Sequence, residues 1–327
     1  MRKYSLLVHV THTAQRDSLE ELLESLANQT YKNFEVIIVE ECGGDACGIL
    51  SSLYKNQLVI RYYNKKEAGE GYTRNFAFEK ASGDYFILFD TSSVLPADYL
   101  EKVDHFLQTN YLDSFLAPVI AYESMSTKQK AMFYSFKQYS VDFRYDKNKK
   151  DTLPFYSGNI NMGFSREVFN KTKGYIISEF GEEMEFWIRI QKSGFKEGVI
   201  KDAFIFHKGI KDYKEFFKDM SLLGRARINV YRFFKEELKP THFVPVFFFL
   251  FLIATAFSFF IYTRLFIVLL SIVAIYSLLI FFDSLSKNKK VNIAFLSLPA
   301  LYVQWIGYSL GFISELYKEL SGTKKKV

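Results

Sequence analysis

Two long uncharged stretches near the carboxyl end of the chain place the strongest limit on its fold. Residues 243–262 and 265–282 contain no Asp, Glu, Lys or Arg, and only Thr263 and Arg264 separate them. A helix needs roughly 20 apolar residues to cross the hydrocarbon core of a bilayer. The sequence therefore predicts two membrane-spanning helices that form a hairpin.

A third segment, residues 292–313, is less apolar and contains Pro299, Gln304 and Trp305. If it crossed the membrane, the lysines at 324–326 would lie outside the cell, whereas Lys and Arg usually remain on the cytoplasmic side. We therefore expect a segment that re-enters the membrane or lies in its interface, with a third span as the alternative.

Residues 212–240 lead into the first span and have the pattern of an amphipathic helix. Lysines and arginines lie between six apolar residues at roughly helical spacing: Phe216, Met220, Leu223, Val230, Phe234 and Leu238. A basic amphipathic helix beside a span is typical of the membrane interface, and packing on the soluble domain is the alternative. We expect a soluble domain at 1–211, an interfacial helix region at 212–240 and a membrane domain at 241–327.

The distribution of charge favours a membrane over nucleic acid as the partner. The net charge of +6 is modest, and lysines concentrate beside the apolar segments, where they suit an anionic membrane surface. Cys42 and Cys47 lie close together in a predicted loop and lack the partner pairs of a zinc site. Reduced thiols are the simpler interpretation.

Strand and helix patterns alternate through the soluble region. Apolar strands are predicted at residues 4–10, 34–39, 58–62 and 85–89. Ser18 with Glu21 forms the sequence signature of a helix start, and a second helix is predicted at residues 72–81. This β–α–β series implies an α/β domain with a mostly parallel sheet and helices on its faces.

Polar side chains follow three of these strands at the same edge of the predicted sheet. The residues are Thr11 and His12, then Glu40 and Glu41, then Asp90. Ligands of parallel α/β sheets bind beyond the carboxyl ends of the strands. Because Arg74 also lies in the helix before the fourth strand, these groups together predict a ligand site. A lone strand-end carboxylate would more often be a helix cap.

Four segments occur in a fixed order within about the first 235 residues. They read SLEELLESLANQTYKNFEVIIVEE, GEGYTRNFAFEKASGDYFILFD, NMGFSREVFNKTKGY and FGEEMEFWIRIQKSGF. In turn they resemble the first helix and second strand, the Arg-Asn and Asp-x-Asp segment, the acceptor-side segment and the Gly-Glu-Asp helix of inverting family-two glycosyltransferases. The resemblance implies the GT-A nucleotide-diphospho-sugar transferase fold, with a Rossmann-like, mostly parallel sheet.

The resemblance also implies a role for each matched residue. Five residues would bind the nucleotide sugar: Thr11, Glu40, Glu41, Arg74 and Asp90. Glu183 would be the catalytic base, and Asn161 and Glu182 would lie on the acceptor side. Asp90 and His207 would hold Mn²⁺ or Mg²⁺ beside the donor diphosphate, with a buried structural role as the alternative for the histidine.

Several positions depart from the family pattern. Ser92 replaces the second acid of Asp-x-Asp, and the paired aspartates after the second strand are Glu40 and Glu41. The Gly-Glu-Asp motif is Gly-Glu-Glu, and His12 and Thr13 replace a Tyr-Asn pair. An Asp to Glu change moves the carboxylate by about an ångström, which matters where a reacting group needs strict geometry. A catalytically inactive relative is therefore the alternative.

We expect a glycosyltransferase that moves one sugar from a nucleotide-sugar donor to a lipid-linked, polyprenyl-type saccharide acceptor. It would act at the cytoplasmic face of a bacterial inner membrane, in surface polysaccharide or glycan assembly. The alternative is an inactive membrane scaffold or partner subunit, and association with a protein partner or a second copy is left open. A processive synthase is disfavoured because its Gln-x-x-Arg-Trp motif is absent.

Overall fold

The computed structural model describes residues 1–10, 16–41, 46–65, 69–139, 160–178 and 180–322. The chain divides into two compact units. The first unit comprises Met1–Tyr122 and Phe143–Lys208, and the second comprises Glu123–Asp142 and Gly209–Val327. Each unit has its own packed interior.

The strands described all belong to the first unit. They are β1 (Tyr4–Val10), β2 (Phe34–Glu40), β3 (Ile60–Asn64), β4 (Tyr85–Asp90), β5 (Ser93–Val94), β6 (Ser114–Leu116), β7 (Val119–Ala121), β8 (Met162–Ser165), β9 (Glu197–Val199) and β10 (Ile205–His207). One sheet has the order β3-β2-β1-β4-β8-β6-β9, and the other has the order β5-β10-β7. Neighbours among β1 to β4 pair in parallel, whereas β8 is antiparallel to β4. The predicted α/β architecture with a mostly parallel sheet is confirmed.

The helices described in the first unit cover both faces of the large sheet. They are α1 (Arg16–Ala27), α2 (Ala46–Leu53), α3 (Glu70–Lys80), α4 (Tyr99–Thr109), α6 (Arg166–Thr172) and α7 (Glu182–Lys192). α1 begins before Ser18, the predicted start. α2 was not predicted, and Cys47 is a buried residue of this helix rather than a loop thiol. The apolar residues of α2 do not mark its buried face, because Ile49 and Leu53 are exposed whereas Ser51 is buried.

Alternate residues of the central strands pack against different helices. Leu6 and Val8 of β1 belong to the same apolar cluster as the leucines of α1, whereas Leu7 belongs to the cluster on the opposite face. That opposite cluster contains Phe78 of α3 and Phe186 of α7, whose ring centroids lie 6.4 Å apart. α3 and α7 therefore share one face of the sheet, which lets their polar side chains meet at its edge.

The strand register brings several polar residues to the carboxyl edge of the large sheet. His9 of β1 lies opposite Asp90, the last residue of β4, and Glu40 ends β2 beside them. In the small sheet β10 runs antiparallel to β5, and His207 lies opposite Ser93. The predicted convergence of strand ends is therefore present for the residues that the structure describes.

The described part of the second unit contains five α-helices. They are α5 (Thr127–Tyr139), α8 (Tyr213–Phe233), α9 (Val244–Ile261), α10 (Thr263–Asn288) and α11 (Val291–Leu320). Three segments are long and apolar enough to cross a membrane: Pro240–Ile261, Thr263–Asn288 and Val291–Leu320. α9 and α10 run antiparallel, because ring centroids lie 5.4 Å apart for Phe248 and Tyr276 and 5.2 Å apart for Phe259 and Phe266.

Two elements of this unit differ from what the sequence suggested. α11 is one unbroken helix of 30 residues that continues through Pro299, so it contains no turn at which the chain could reverse. α5 comes from the region assigned to the soluble domain at 1–211, yet it packs against α11. Ser135 Oγ of α5 donates a hydrogen bond of 2.7 Å to Gln304 Oε1 of α11.

α8 is the predicted amphipathic helix. It begins after Asp212, whose side chain accepts hydrogen bonds from the backbone N–H groups of the first turn. The predicted apolar residues Phe216, Met220 and Leu223 are buried. They face α11, where Met220 packs beside Gly307. The apolar face of α8 is therefore covered by protein, whereas the interfacial interpretation placed it against lipid.

Candidate active site

α3 and α7 bring one basic and three acidic side chains together. Arg74 Nη1 lies 3.0 Å from Glu182 Oε1 and 2.8 Å from Glu183 Oε1. Arg74 Nη2 also lies 3.4 Å from Glu70 Oε2, one turn earlier on α3. We call these four residues the Arg74 cluster. α7 starts at Glu182 because Gly181 adopts a left-handed φ of 98°, which glycine tolerates best.

Burial and neighbouring charge set the protonation of the Arg74 cluster. Burial lowers the pKa of Arg74, but the charges of Glu183 and Glu70 outweigh it and keep the guanidinium ionised. Burial, and to a smaller extent the charge of Glu183, raise the pKa of Glu182 well above its usual range, although the charge of Arg74 opposes the shift. Glu182 therefore takes up a proton more readily than an exposed glutamate does.

A second group of contacts surrounds Glu41, the residue after β2. His9 Nε2 lies 3.2 Å from Glu41 Oε1, and the Thr73 hydroxyl donates a hydrogen bond to the same oxygen. Burial raises the pKa of Glu41, but the contact with His9, the hydrogen bond from Thr73 and the charges of His9 and Arg74 lower it overall. Because Thr73 precedes Arg74 on α3, an ionised Glu41 stands next to the Arg74 cluster.

The third group of contacts lies at the end of β4. His207 Nε2 lies 2.7 Å from Asp90 Oδ2, and Ser93 Oγ donates to Asp90 Oδ1 at 2.7 Å. Burial raises the pKa of Asp90, but the charge and hydrogen bond of His207 and the hydrogen bond of Ser93 lower it overall. The Asp90 side chain is 37% exposed and that of His207 is 8% exposed. A ligand arriving at this edge would therefore meet the carboxylate first.

The residues predicted to bind a metal have suitable chemistry. A carboxylate and an imidazole are donors that Mn²⁺ accepts, and Asp90 and His207 are close enough to serve one ion. Ser92 offers only a neutral hydroxyl in the place of a second carboxylate. The carboxylate oxygens of the Arg74 cluster lie within 4.8 Å of one another. However, the guanidinium of Arg74 contacts all three carboxylates, so a cation already stands there.

Two predicted site residues are turned into the protein interior. Glu40 is fully buried and accepts a hydrogen bond of 2.6 Å from the Tyr62 hydroxyl, which ties β2 to β3. Asn161 is also fully buried, and its amide donates to the carbonyls of Pro118 and Ala203 at 3.1 Å each. In this arrangement Asn161 braces the chain immediately before β8 and does not offer its amide to an acceptor. Nucleotide binding by Glu40 stays a prediction.

Four residues of these contacts were not predicted: His9, Glu70, Thr73 and Ser93. His9 interrupts an apolar strand one residue before its end, which is a signal that could have singled it out. Ser93 directly follows Ser92 in the sequence, and Glu70 lies one helical turn before Arg74. Thr11, a predicted nucleoside contact, lies outside the described residues.

Comparison with known proteins decides the family. The model of the family described as Glycosyl transferase family 2 matches residues 7–172, which make up half of the chain. The chain belongs to glycosyl transferase family 2. The resemblance inferred from the four ordered segments is thereby confirmed.

Two curated relatives show how far the likeness extends. A GalNAc(5)-diNAcBac-PP-undecaprenol beta-1,3-glucosyltransferase from Campylobacter jejuni is 24% identical over 226 residues, which are 68% of each chain. An uncharacterised glycosyltransferase from Rickettsia felis is 25% identical over 185 residues, or 56% of this chain and 29% of that protein. The present family-two chain thus spans less than a third of the length of the Rickettsia relative.

Solved structures share the fold. A mannosyltransferase from Pyrobaculum calidifontis in complex with GDP-Man and Mn²⁺ has a TM-score of 0.64 at 13% identity, over 97% of this chain and 88% of the other. Residues 1–349 of Staphylococcus aureus TarS in complex with UDP-GlcNAc have a TM-score of 0.50 at 17% identity, over 69% and 67% of the two chains. The predicted GT-A fold is confirmed by these likenesses.

Proposed function

We propose that this family-two transferase moves a single sugar from a nucleotide-sugar donor to a lipid-linked, polyprenyl-type saccharide acceptor. The Campylobacter jejuni relative is named for an undecaprenol-linked acceptor. The structures with the same fold contain UDP-GlcNAc or GDP-Man. These names support a nucleotide-sugar donor and a lipid-linked acceptor, and the apolar hairpin of α9 and α10 supports an acceptor that is confined to a membrane.

The observation that carries the proposal is the position of Glu183 in the Arg74 cluster. Sugar transfer needs a base within hydrogen-bond reach of the acceptor hydroxyl. Glu183 stands in the first turn of α7, and the Arg74 guanidinium donates to its Oε1. In the proposed step the carboxylate takes the hydroxyl proton while the hydroxyl oxygen attacks the anomeric carbon. The bond to the diphosphate breaks on the opposite face, and the anomeric configuration inverts.

The donor diphosphate is proposed to bind at the end of β4. Asp90 and His207 would hold the Mn²⁺ or Mg²⁺ ion, which when bound would supply positive charge to the leaving diphosphate. Ser93 fixes the Asp90 carboxylate through Oδ1, which leaves Oδ2 directed towards His207. On the nucleoside side, Glu41 is held by His9 and Thr73 and would accept hydrogen bonds from the base or ribose.

The proposed location is the cytoplasmic face of a bacterial inner membrane, in the assembly of a surface polysaccharide or glycan. Lysines at the end of α10 and in the short link to α11, Lys287, Lys289 and Lys290, support a cytoplasmic position for that end of the hairpin. A nucleotide sugar is a cytoplasmic metabolite, so a cytoplasmic transferase unit has direct access to its donor.

Calorimetric titration of the purified full chain with UDP-, GDP- and dTDP-sugars tests the proposal, with and without Mn²⁺. One donor should bind, and Asp90→Ala should abolish that binding. The matched control is Asp98→Ala, since Asp98 is a half-exposed carboxylate that pairs with Lys102 one turn away on α4. Binding of no donor at all would instead support the inactive scaffold or partner subunit.

A further inference from the structure

α8 and α11 lie side by side and run in the same direction along the second unit. The Tyr213 hydroxyl, at the start of α8, donates to the carbonyl of Leu296, near the start of α11. At the other ends, Arg232 Nη2 lies 3.1 Å from Glu315 Oε1 and Arg232 Nε donates to Glu319. The contact therefore extends along nearly the whole of α8, and the two helices must share one orientation relative to a membrane.

The two backbones touch where they cross. A Cβ atom added to Gly311 would lie 1.9 Å from the carbonyl oxygen of Ser221. A Cβ atom added to Gly224 would lie 2.0 Å from the carbonyl oxygen of Tyr308. Only glycines allow so close an approach, as in helix pairs that pack through small residues. Because of this fit, α11 cannot tilt into a bilayer without α8.

α8 is too polar to cross a bilayer. It carries seven charged residues between its ends: Lys214, Glu215, Lys218, Asp219, Arg225, Arg227 and Arg232. Lys214, Glu215 and Lys218 are exposed on its surface. Charged groups at the centre of a bilayer are costly, and α8 is not among the segments apolar enough to span. If α11 crossed, it would have to draw these charges through the hydrocarbon.

The exposed residues of α11 are nevertheless mostly apolar, and they lie towards the two ends of the helix. Its exposed members share one side of the helix: Phe295, Pro299, Leu310, Ile313, Tyr317 and Leu320. Tyr302, on the same side, packs against Phe248 of α9. We call this row the α11 stripe. The opposite face of α11 is buried within the unit and holds the polar residues Gln304 and Glu315. A helix with a long apolar stripe on its outer side needs a lipid environment for that side only.

The contacts with the hairpin place α11 across one end of it. Ser297 of α11 hydrogen-bonds Ser284 near the end of α10 at 2.8 Å. Half of the helix length further on, the ring of Phe312 packs 5.1 Å from that of Phe243, which precedes the first residue of α9. Both points on α11 therefore meet the same end of the hairpin. The residues around the turn at Tyr262 are exposed and form the far end.

We propose that α11 lies in the plane of the membrane interface at the base of the α9–α10 hairpin and inserts the α11 stripe among the lipids, so that the chain crosses the membrane only twice. The stripe continues the lipid-facing surface of the hairpin. α8 covers the opposite side of α11 and keeps its charged residues out of the hydrocarbon. The proposal concerns the second unit alone, so measurements of membrane depth test it independently of sugar transfer.

Spin-label depth measurements test the inference directly. In a background of Cys42→Ser and Cys47→Ala, single cysteines replace Phe295, Leu310 or Tyr317, and the full chain is reconstituted in phosphatidylethanolamine and phosphatidylglycerol vesicles. We expect equal, shallow depths for the three labels by oxygen and nickel relaxation. Ile275→Cys, in the middle of α10, is the deep control. A label at Leu310 as deep as that control would overturn the inference.

Labelling with a membrane-impermeant maleimide is a second test. Its result can be interpreted without knowing which end of the hairpin faces the cytoplasm. Lys290→Cys and Ser321→Cys mark the two ends of α11, and Tyr262→Cys marks the hairpin turn. We expect the first two to label from one side of the membrane and Tyr262→Cys from the other. Labelling of Ser321→Cys together with Tyr262→Cys would show that α11 crosses. Labelling of all three from one side would remove the hairpin on which the proposal depends.

Discussion

Arg74 Nη1 on α3 lies 2.8 Å from Glu183 Oε1 on α7. The side chain that the family resemblance places on the nucleotide thus holds the proposed catalytic base. The two residues are 109 positions apart in sequence, and they meet because α3 and α7 pack on the same face of the sheet. In this arrangement an acceptor hydroxyl has to compete with a guanidinium for one oxygen of Glu183.

Removal of Arg74 should destabilise the first unit. Arg74→Ala leaves the α7 carboxylates buried without their cation, and loss of one partner from a buried ion pair typically costs about 3–5 kcal/mol of unfolding free energy. Chemical unfolding of the full chain in detergent measures the loss. The double variant Arg74→Ala/Glu183→Gln should recover part of it, because the uncompensated charge is gone. Equal stability of the single variant and the wild-type chain would contradict the buried pair.

Glu183→Gln should abolish turnover and leave donor binding intact. The amide keeps the shape of the side chain but cannot accept the hydroxyl proton, and general base catalysis contributes roughly 10²–10⁴-fold to the rate. Turnover is followed as release of the nucleotide diphosphate, and donor affinity by calorimetry. Glu79→Gln, an exposed glutamate of α3, is the matched control. Parallel loss of turnover and donor affinity would give Glu183 a binding role instead.

The pH dependence of the free energy of unfolding should show that Glu182 keeps its proton in the folded chain at a pH where the unfolded chain has lost it. Its pKa is raised in the folded chain by burial and by the charge of Glu183. Below the ordinary value of 4.5 both the folded and the unfolded chain hold the proton. As the pH rises from there, the unfolded chain ionises first, so stability falls until the folded chain ionises as well. Glu182→Gln removes this loss.

Thermal unfolding over a range of pH checks the prediction. Glu182→Gln should be more stable than the wild-type chain at neutral pH, and the difference should vanish below about pH 4, where both forms are neutral. The exposed Glu79→Gln variant should show no such difference. If the wild-type chain instead became more stable than Glu182→Gln as the pH rises, Glu182 would be ionised in the folded chain and stabilised by Arg74. That result would contradict the prediction.

Strand ends could be predicted from the sequence, and side-chain partners could not. Asp90 and Glu41 were identified because parallel strands end at one edge, whatever the loops beyond them do. The pairing of Arg74 with Glu183 depends on how two helices pack across a large sequence separation. No local pattern in either helix records that packing. The bond between Ser93 and Asp90 likewise depends on the path of the chain after β4.

In the second unit, too, the sequence predicted a buried helix face but not the partner that covers it. The spacing of Phe216, Met220 and Leu223 correctly indicates that one face of α8 is covered. Periodicity reports that a face is buried and does not report which partner buries it. The partner here is α11, whose own sequence mixes buried polar residues with an exposed apolar stripe. α5 joins this unit although it lies between two strands of the first unit in sequence.

Restoring the missing carboxylate should strengthen metal binding. Ser92→Asp adds a charged oxygen ligand near Asp90 and His207, and even groups outside the immediate ligand shell change metal affinity by about 10–100-fold. We expect Mn²⁺ to bind at least roughly tenfold more tightly in calorimetry without donor. Ser126→Asp, a replacement before α5, serves as the control. Unchanged Mn²⁺ affinity would place the ion away from the end of β4.

A side chain at Gly311 should separate α8 from α11. In Gly311→Ala the new Cβ atom would lie 1.9 Å from the Ser221 carbonyl oxygen, which belongs to a helix backbone and cannot rotate away. Overpacking of this kind typically costs about 1–3 kcal/mol. Thermal unfolding in detergent should therefore show a lower midpoint. Tryptophan fluorescence can follow the transition, because Trp305 lies on α11. Leu310→Ala changes the neighbouring exposed position and should leave the midpoint almost unchanged. Equal effects of the two variants would mean that the backbones of α8 and α11 are not in contact.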